Sequence, residues 1–215
     1  EEAPLYRNDE LGFWALSRHE DVIEGFRDFE RLSSSHGVSL DPAASGPNAH
    51  RTMSFLALDP PMHGRMRGLV SKGFTPRQVT AVEPKVREFV VDRIEKLRAK
   101  GTGDIITEFL KPLPSMVVAH YLGVPEKDWD RFDAWTDAIV AANATGHQAG
   151  AGPAVAEIFA YFNELIAYRQ QYPEDDTVSH LVEAGFGADG DMSGILSILG
   201  FAFTMITGGN DTTTG

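Results

Sequence analysis

From Met192 the sequence runs MSGILSILGFAFTMITGGNDTTTG, and from Ile195 to Ile206 it is apolar on every side, broken only by Ser197, Gly200 and Thr204. A helix without a polar face has to be enclosed by other elements. The rest of the chain must therefore supply a shell around it. The apolar run is shorter than the roughly 20 residues that cross a bilayer, which points to a central core helix. At 215 residues, with 42% hydrophobic and 23% charged residues, the chain can build one such core. Its 31 acidic residues against 19 Lys plus Arg give a formal charge of −12, which repels phosphate backbones and anionic lipid. Cysteine is absent, so these residues hold no disulfide, zinc thiolate or cysteine nucleophile. The opening EEAPLYRNDE carries no signal-peptide pattern, and the expected location is cytoplasmic.

Periodicity predicts a mainly α chain with a small sheet at its start. Residues 4–7 and 12–16 alternate as two short strands, and 17–26 form a short helix with Val22, Ile23 and Phe26 on one face. Residues 33–52 (SSSHGVSLDPAASGPNAHRT) make a loop of the length that is usually functional or mobile. Asp59-Pro60-Pro61 opens a helix to about Ser71. Thr75-Pro76-Arg77-Gln78 has the form of a capping box, followed by a stripe from Val79 to Leu97 that Pro84 is expected to divide into two helices. A short strand is expected at 104–106, then helices at 114–122, 126–142, 155–169 and 177–184, with 143–153 a small-residue connection. No repeat or linker divides the chain, so 1–215 is read as a single partial domain. It lacks an initiator Met and stops just after its most apolar segment, so the expectation is a piece of a longer protein.

Three motifs carry possible chemistry. Gly185-Phe186-Gly187-Ala188-Asp189-Gly190 is a literal GxGxxG. A dinucleotide site needs a hydrophobic strand before it, and DDTVSHLVEA is a helix, so the glycines read as a turn. His63 and Arg67 stand at i and i+4 in HGRMR and point the same way. Such a pair suits two carboxylates of one ligand; the pattern also fits two solvated side chains. No second histidine lies at metal-ligand spacing. In Thr207-Gly208-Gly209-Asn210-Asp211-Thr212, paired glycines inside a helix cost about 1 kcal/mol each relative to alanine. Either the helix is distorted there to open a groove lined by Asp211 and Thr212 as a proton relay, or it ends at Gly208 and Asp211 caps the next one.

Taken together, LDPPMHGRMRGLVSKGFTPRQV closely resembles the segment spanning helix C of bacterial cytochrome P-450 enzymes, the haem-thiolate monooxygenases, and TMITGGNDTTTG resembles their mid-helix-I oxygen-activation motif. The order of the intervening helices is similar as well. The resemblance covers essentially the whole chain and implies a cytochrome P-450 fold fragment, helices B to mid-I, with a small N-terminal β-sheet.

What the resemblance implies is specific. His63 and Arg67 would bind the propionates of haem b. Gly208 and Gly209 would make room for dioxygen, Asp211 and Thr212 would deliver protons during its activation, and Thr212 would also face the cofactor. Thr204 and Gly208 would look into the pocket of a small apolar substrate. The loop at 33–52 and the connection at 143–153 would be the family's substrate-gating regions. Electrons would come from NAD(P)H through a ferredoxin-type redox partner docking near Arg65, Lys72 and Arg77. The iron ligand is a cysteine well beyond helix I; none occurs here, so the 215 residues alone are expected to be inactive, with no metal ligand among them. The alternative is a non-catalytic helical module that binds an apolar ligand without haem.

Overall fold

A computed structural model describes residues 4–38, 40, 45–145, 152–188 and 191–214. Strands β1 (Leu5–Asn8) and β2 (Phe13–Leu16) form an antiparallel ribbon with Leu5 opposite Leu16 and Asn8 opposite Phe13. Asn8 Oδ1 accepts from the Leu11 amide at 2.8 Å, which closes the turn between them. Helix α1 (His19–Arg27) follows. A short helix α2 (His50–Met53) runs into a 3₁₀ turn at Ser54–Ala57, then α3 (Met62–Ser71), a 3₁₀ turn at Lys72–Phe74, and α4 (Pro76–Lys100). After these come α5 (Pro112–Leu122), α6 (Trp129–Thr145), α7 (Gly152–Gln171), α8 (Thr177–Glu183) and α9 (Met192–Thr214).

The apolar helix is the axis of the core, as its sequence demands. Ile198, Phe201, Ala202 and Ile206 are buried on α9, which packs against α5, α6, α7 and the segment 50–57. Each large apolar side chain taken out of water contributes about 1.5–3 kcal/mol. Met192–Gly209 is also long and apolar enough to cross a membrane, with mean hydropathy 1.5, so the reading that this segment is too short does not hold for the whole helix. A core helix passes the same test, and α9 is packed inside the bundle.

Two expectations are corrected. Pro84 does not divide its segment: α4 is continuous over 25 residues with Pro84 inside it. Proline forfeits one backbone bond, but both ends of α4 are held. The Thr75/Gln78 capping box is formed at one end, and Gly101, at φ 76°, donates its amide to the Leu97 carbonyl (3.0 Å) at the other. The strand at 104–106 is absent, and Ile106–Leu110 form a π-helical turn leading into α5. Asp104 explains this, since its carboxylate accepts from the Ile106 amide (2.9 Å) and its carbonyl from the Glu108 amide (2.9 Å), turning the chain instead of extending it.

Of the expected gating regions, 33–52 already contains the start of α2 at His50, and 143–153 is shortened by α6 reaching Thr145 and α7 starting at Gly152. Residues 39, 41–44 and 146–151 lie outside the described residues. Gly185 (φ 95°) and Gly187 (φ 73°) sit in a left-handed turn after α8, so the described part of the GxGxxG segment is a glycine turn following a helix.

A buried ionic staple joins α5, α7 and α8. Arg169 is 4% exposed. Its Nε donates to Asp176 Oδ2 (2.7 Å), Nη1 to Glu174 Oε1 (2.7 Å) and Nη2 to the Gly123 carbonyl (3.1 Å). Asp176 also caps α8 by accepting from the Ser179 amide at 2.7 Å. This network lines a cleft of about 690 Å³. Arg169, Glu174 and Asp176 are engaged with one another in it and Lys85 pairs with Glu126 (3.1 Å), so this part of the cleft is a structural seam.

Candidate functional site

Helix α3 starts from Asp59-Pro60-Pro61: the Asp59 carbonyl accepts from the His63 amide (3.0 Å) and the Pro61 carbonyl from the Arg65 amide (3.2 Å). Met66 and Val70 form its buried stripe. His63 and Arg67 stand beside that stripe, His63 half-buried and Arg67 exposed. Next to them, a Cβ added at Gly64 or Gly68 would meet nothing, so this side of α3 faces open space.

From Pro60 to Val82 the chain holds no carboxylate, although its net charge is −12. Among the described residues, His63, Arg65, Arg67, Lys72 and Arg77 make no ion pair and no side-chain hydrogen bond. Asp59 is the nearest acid in sequence. Its carboxyl is held below the usual aspartate value by a hydrogen bond from the Ser33 hydroxyl and another from the Ser34 amide. Both of its carboxylate oxygens are therefore engaged by the Ser33–Ser34 turn, and neither is hydrogen-bonded to His63.

A residue overlooked in sequence, Phe55, links α3 to α9. Its ring lies 6.0 Å from the His63 ring and 5.9 Å from that of Phe201. On α9 the Thr204 hydroxyl donates to the Gly200 carbonyl (2.8 Å) and to the Met53 carbonyl (3.4 Å). Segment 50–57 thus covers α9 as far as Thr204. One turn further on, a Cβ added at Gly208 would meet nothing within 4 Å. Segment 50–57 thus touches His63 of α3 through Phe55 and Thr204 of α9 through Met53.

The two glycines have different surroundings. A Cβ at Gly209 would lie 2.6 Å from Val118 Cγ2 of α5, so Gly209 allows two core helices to approach. The helix does not end at Gly208 but runs to Thr214. Asp211 and Thr212 belong to that helix, and their side chains lie outside the described residues. Gly209→Ala is expected to destabilise by about 1–3 kcal/mol through overpacking. Gly208→Ala is expected to stabilise by about 1 kcal/mol, because alanine is the better helix former where nothing is in the way. Urea unfolding of the two variants measures this; equal effects would contradict the division of roles.

No family model matches the chain. Individual relatives do. Cytochrome P-450 130 of Mycobacterium tuberculosis is 58% identical over 208 residues, covering 96% of this chain and 51% of that protein. The family is decided by that identity over nearly the whole chain. The chain belongs to the cytochrome P-450 family. A putative cytochrome P-450 123 of Mycobacterium bovis is 42% identical over 217 residues, 100% of this chain and 53% of that protein. Among solved structures, Mycobacterium marinum cytochrome P-450 CYP268A2, in complex with pseudoionone, superposes with a TM-score of 0.78 at 31% identity, over 94% of this chain and 50% of that one. This cytochrome P-450 chain spans about half the length of the curated relatives it matches.

Proposed function

We propose that the whole protein is a haem-dependent monooxygenase that inserts one oxygen atom of dioxygen into an apolar organic molecule in the cytoplasm, with electrons from NAD(P)H arriving through a ferredoxin-type partner. The observation that carries this reading is the His63–Arg67 pair, which makes no ion pair among the described residues, on a helix linked to α9 through Phe55. Family membership adds to it. Haem, when bound, supplies the iron centre at which dioxygen is activated.

The residues of this chain fit that group. A histidine and an arginine one helical turn apart, without a carboxylate partner, match the two propionates, each donating a hydrogen bond to a charged acceptor. The open side of α3 at Gly64 and Gly68 leaves room for a flat body, and Gly208 leaves α9 without a side chain beside it. Thr204 has its hydroxyl engaged on backbone carbonyls, so toward a substrate it offers packing more than a free donor. Two neighbouring hydroxyls on α9 do likewise: Thr207 donates to the Phe203 carbonyl (3.1 Å) and Thr213 to the Gly209 carbonyl (2.8 Å). Asp211 and Thr212 would carry protons toward the reacting oxygen. Arg65, Lys72 and Arg77 are exposed and unpaired among the described residues, which suits an acidic redox partner.

Thr212→Ala in the full-length protein tests the proton-delivery role. A positioned proton donor contributes about 10²–10⁴-fold, so product formation is expected to fall on the order of 10²-fold while dioxygen is still consumed and peroxide accumulates. Unchanged yield of product per dioxygen would remove Thr212 from the mechanism.

A further inference from the structure

Asp59 uses every oxygen it has on structure that is distant in sequence or central to α3. Its Oδ2 accepts from the Ser33 hydroxyl at 2.5 Å and its Oδ1 from the Ser34 amide at 2.9 Å, across 26 and 25 residues. Its backbone carbonyl accepts from the His63 amide at 3.0 Å. The Ser33 oxygen in turn accepts from the Ser35 amide (3.1 Å), so a three-serine turn is wrapped on one carboxylate. His36 and His63 are the titratable groups that face it, and neither is bonded to it.

The far end of the same connection is held from the other side of the site. The Met53 carbonyl accepts from Thr204, and Phe55 lies between His63 and Phe201. The chain from Ser33 to Ala57 is therefore tied to α3 where it enters and to α9 where it leaves. A connection of this length between two elements takes its position from its anchored ends.

We infer that Asp59 is a positioning residue: its carboxylate pins the Ser33–Ser34 turn to the foot of the helix that carries His63 and Arg67, and so fixes where the chain departs to cross the face of α9. One residue then sets both the first turn of α3 and the boundary of the space beside it. That this space receives haem and substrate rests on the function proposed above; the pin itself does not.

Hydrogen–deuterium exchange on the full-length, haem-loaded protein tests the pin. In Asp59→Ala the Ser34 and Ser35 amides are expected to exchange faster by a factor on the order of ten or more, since a hydrogen bond to a charged acceptor is lost. Asp59→Asn restores slow exchange, because an amide can accept from the Ser34 N–H and donate to the Ser33 hydroxyl. Ser33→Ala, which leaves α3 intact should the alanine variant at 59 not fold, is expected to accelerate exchange at Ser35. Wild-type exchange in Asp59→Ala or in Ser33→Ala, or an asparagine variant as fast as the alanine one, overturns the inference. Haem retention in His63→Ala is read separately. If it is unchanged while the Asp59 variants behave as stated, the haem reading fails and the pin stands.

Discussion

Arg169→Ala is expected to lower the unfolding free energy by about 3–5 kcal/mol, the range for breaking a buried ion pair by removing one partner. Three effects combine. Asp176, 7% exposed, would keep its charge with no cation beside it. The Gly123 carbonyl would lose its donor at the end of α5, and Glu174 would be released. The site cannot collapse to compensate, because Gly123 already lies so close to the Asp176 carboxylate that a Cβ there would overlap it. Lysine is a poor replacement, since a single ammonium cannot supply three diverging donors. Changing both partners, Arg169→Met with Asp176→Asn, is expected to cost clearly less, because no buried charge is stranded while the asparagine can still cap α8. Denaturant unfolding of the three variants gives the comparison; an alanine variant within 1 kcal/mol of wild type would refute the staple, a bound set by the ordinary worth of an exposed pair at about 0–1 kcal/mol.

That staple was not legible in the sequence. Arg169 falls on the apolar stripe of α7, where the pattern alone reads as the end of an amphipathic helix. Its partners lie 5, 7 and 46 residues away, and only the folded chain brings them to one fork. Phe55 and Asp59 escaped for the same reason: their partners come from α9 and from a turn 25 residues earlier. Features set by neighbours in sequence read well. The capping box at Thr75 and the burial of α9 follow from spacing within a few turns. Pro84 and Asp104 mark the limits of such reading. In one case strong end caps outweigh a single lost backbone bond, and in the other a capping carboxylate outweighs a short β-like run. The glycine pair shows why a motif can be found but not partitioned by sequence: Val118, 91 residues earlier, gives Gly209 a packing reason that Gly208 does not share.

The second large effect belongs to the cation pair. His63 and Arg67 carry charge or donors with no partner in a strongly acidic chain, and such groups gain most from a ligand that brings carboxylates to them. A hydrogen bond to a charged group is worth about 1.5–3 kcal/mol, so losing both should speed haem release on the order of 10²-fold or more. Arg65 supplies the control, being a cation of the same helix on a different face, also exposed and unpaired. The measurement is the rate at which the full-length, haem-loaded protein gives up haem to excess apomyoglobin. The account predicts rapid transfer from the His63→Ala/Arg67→Ala double variant and wild-type transfer from Arg65→Ala. Transfer from the double variant at the wild-type rate, or an equal acceleration in Arg65→Ala, would contradict it.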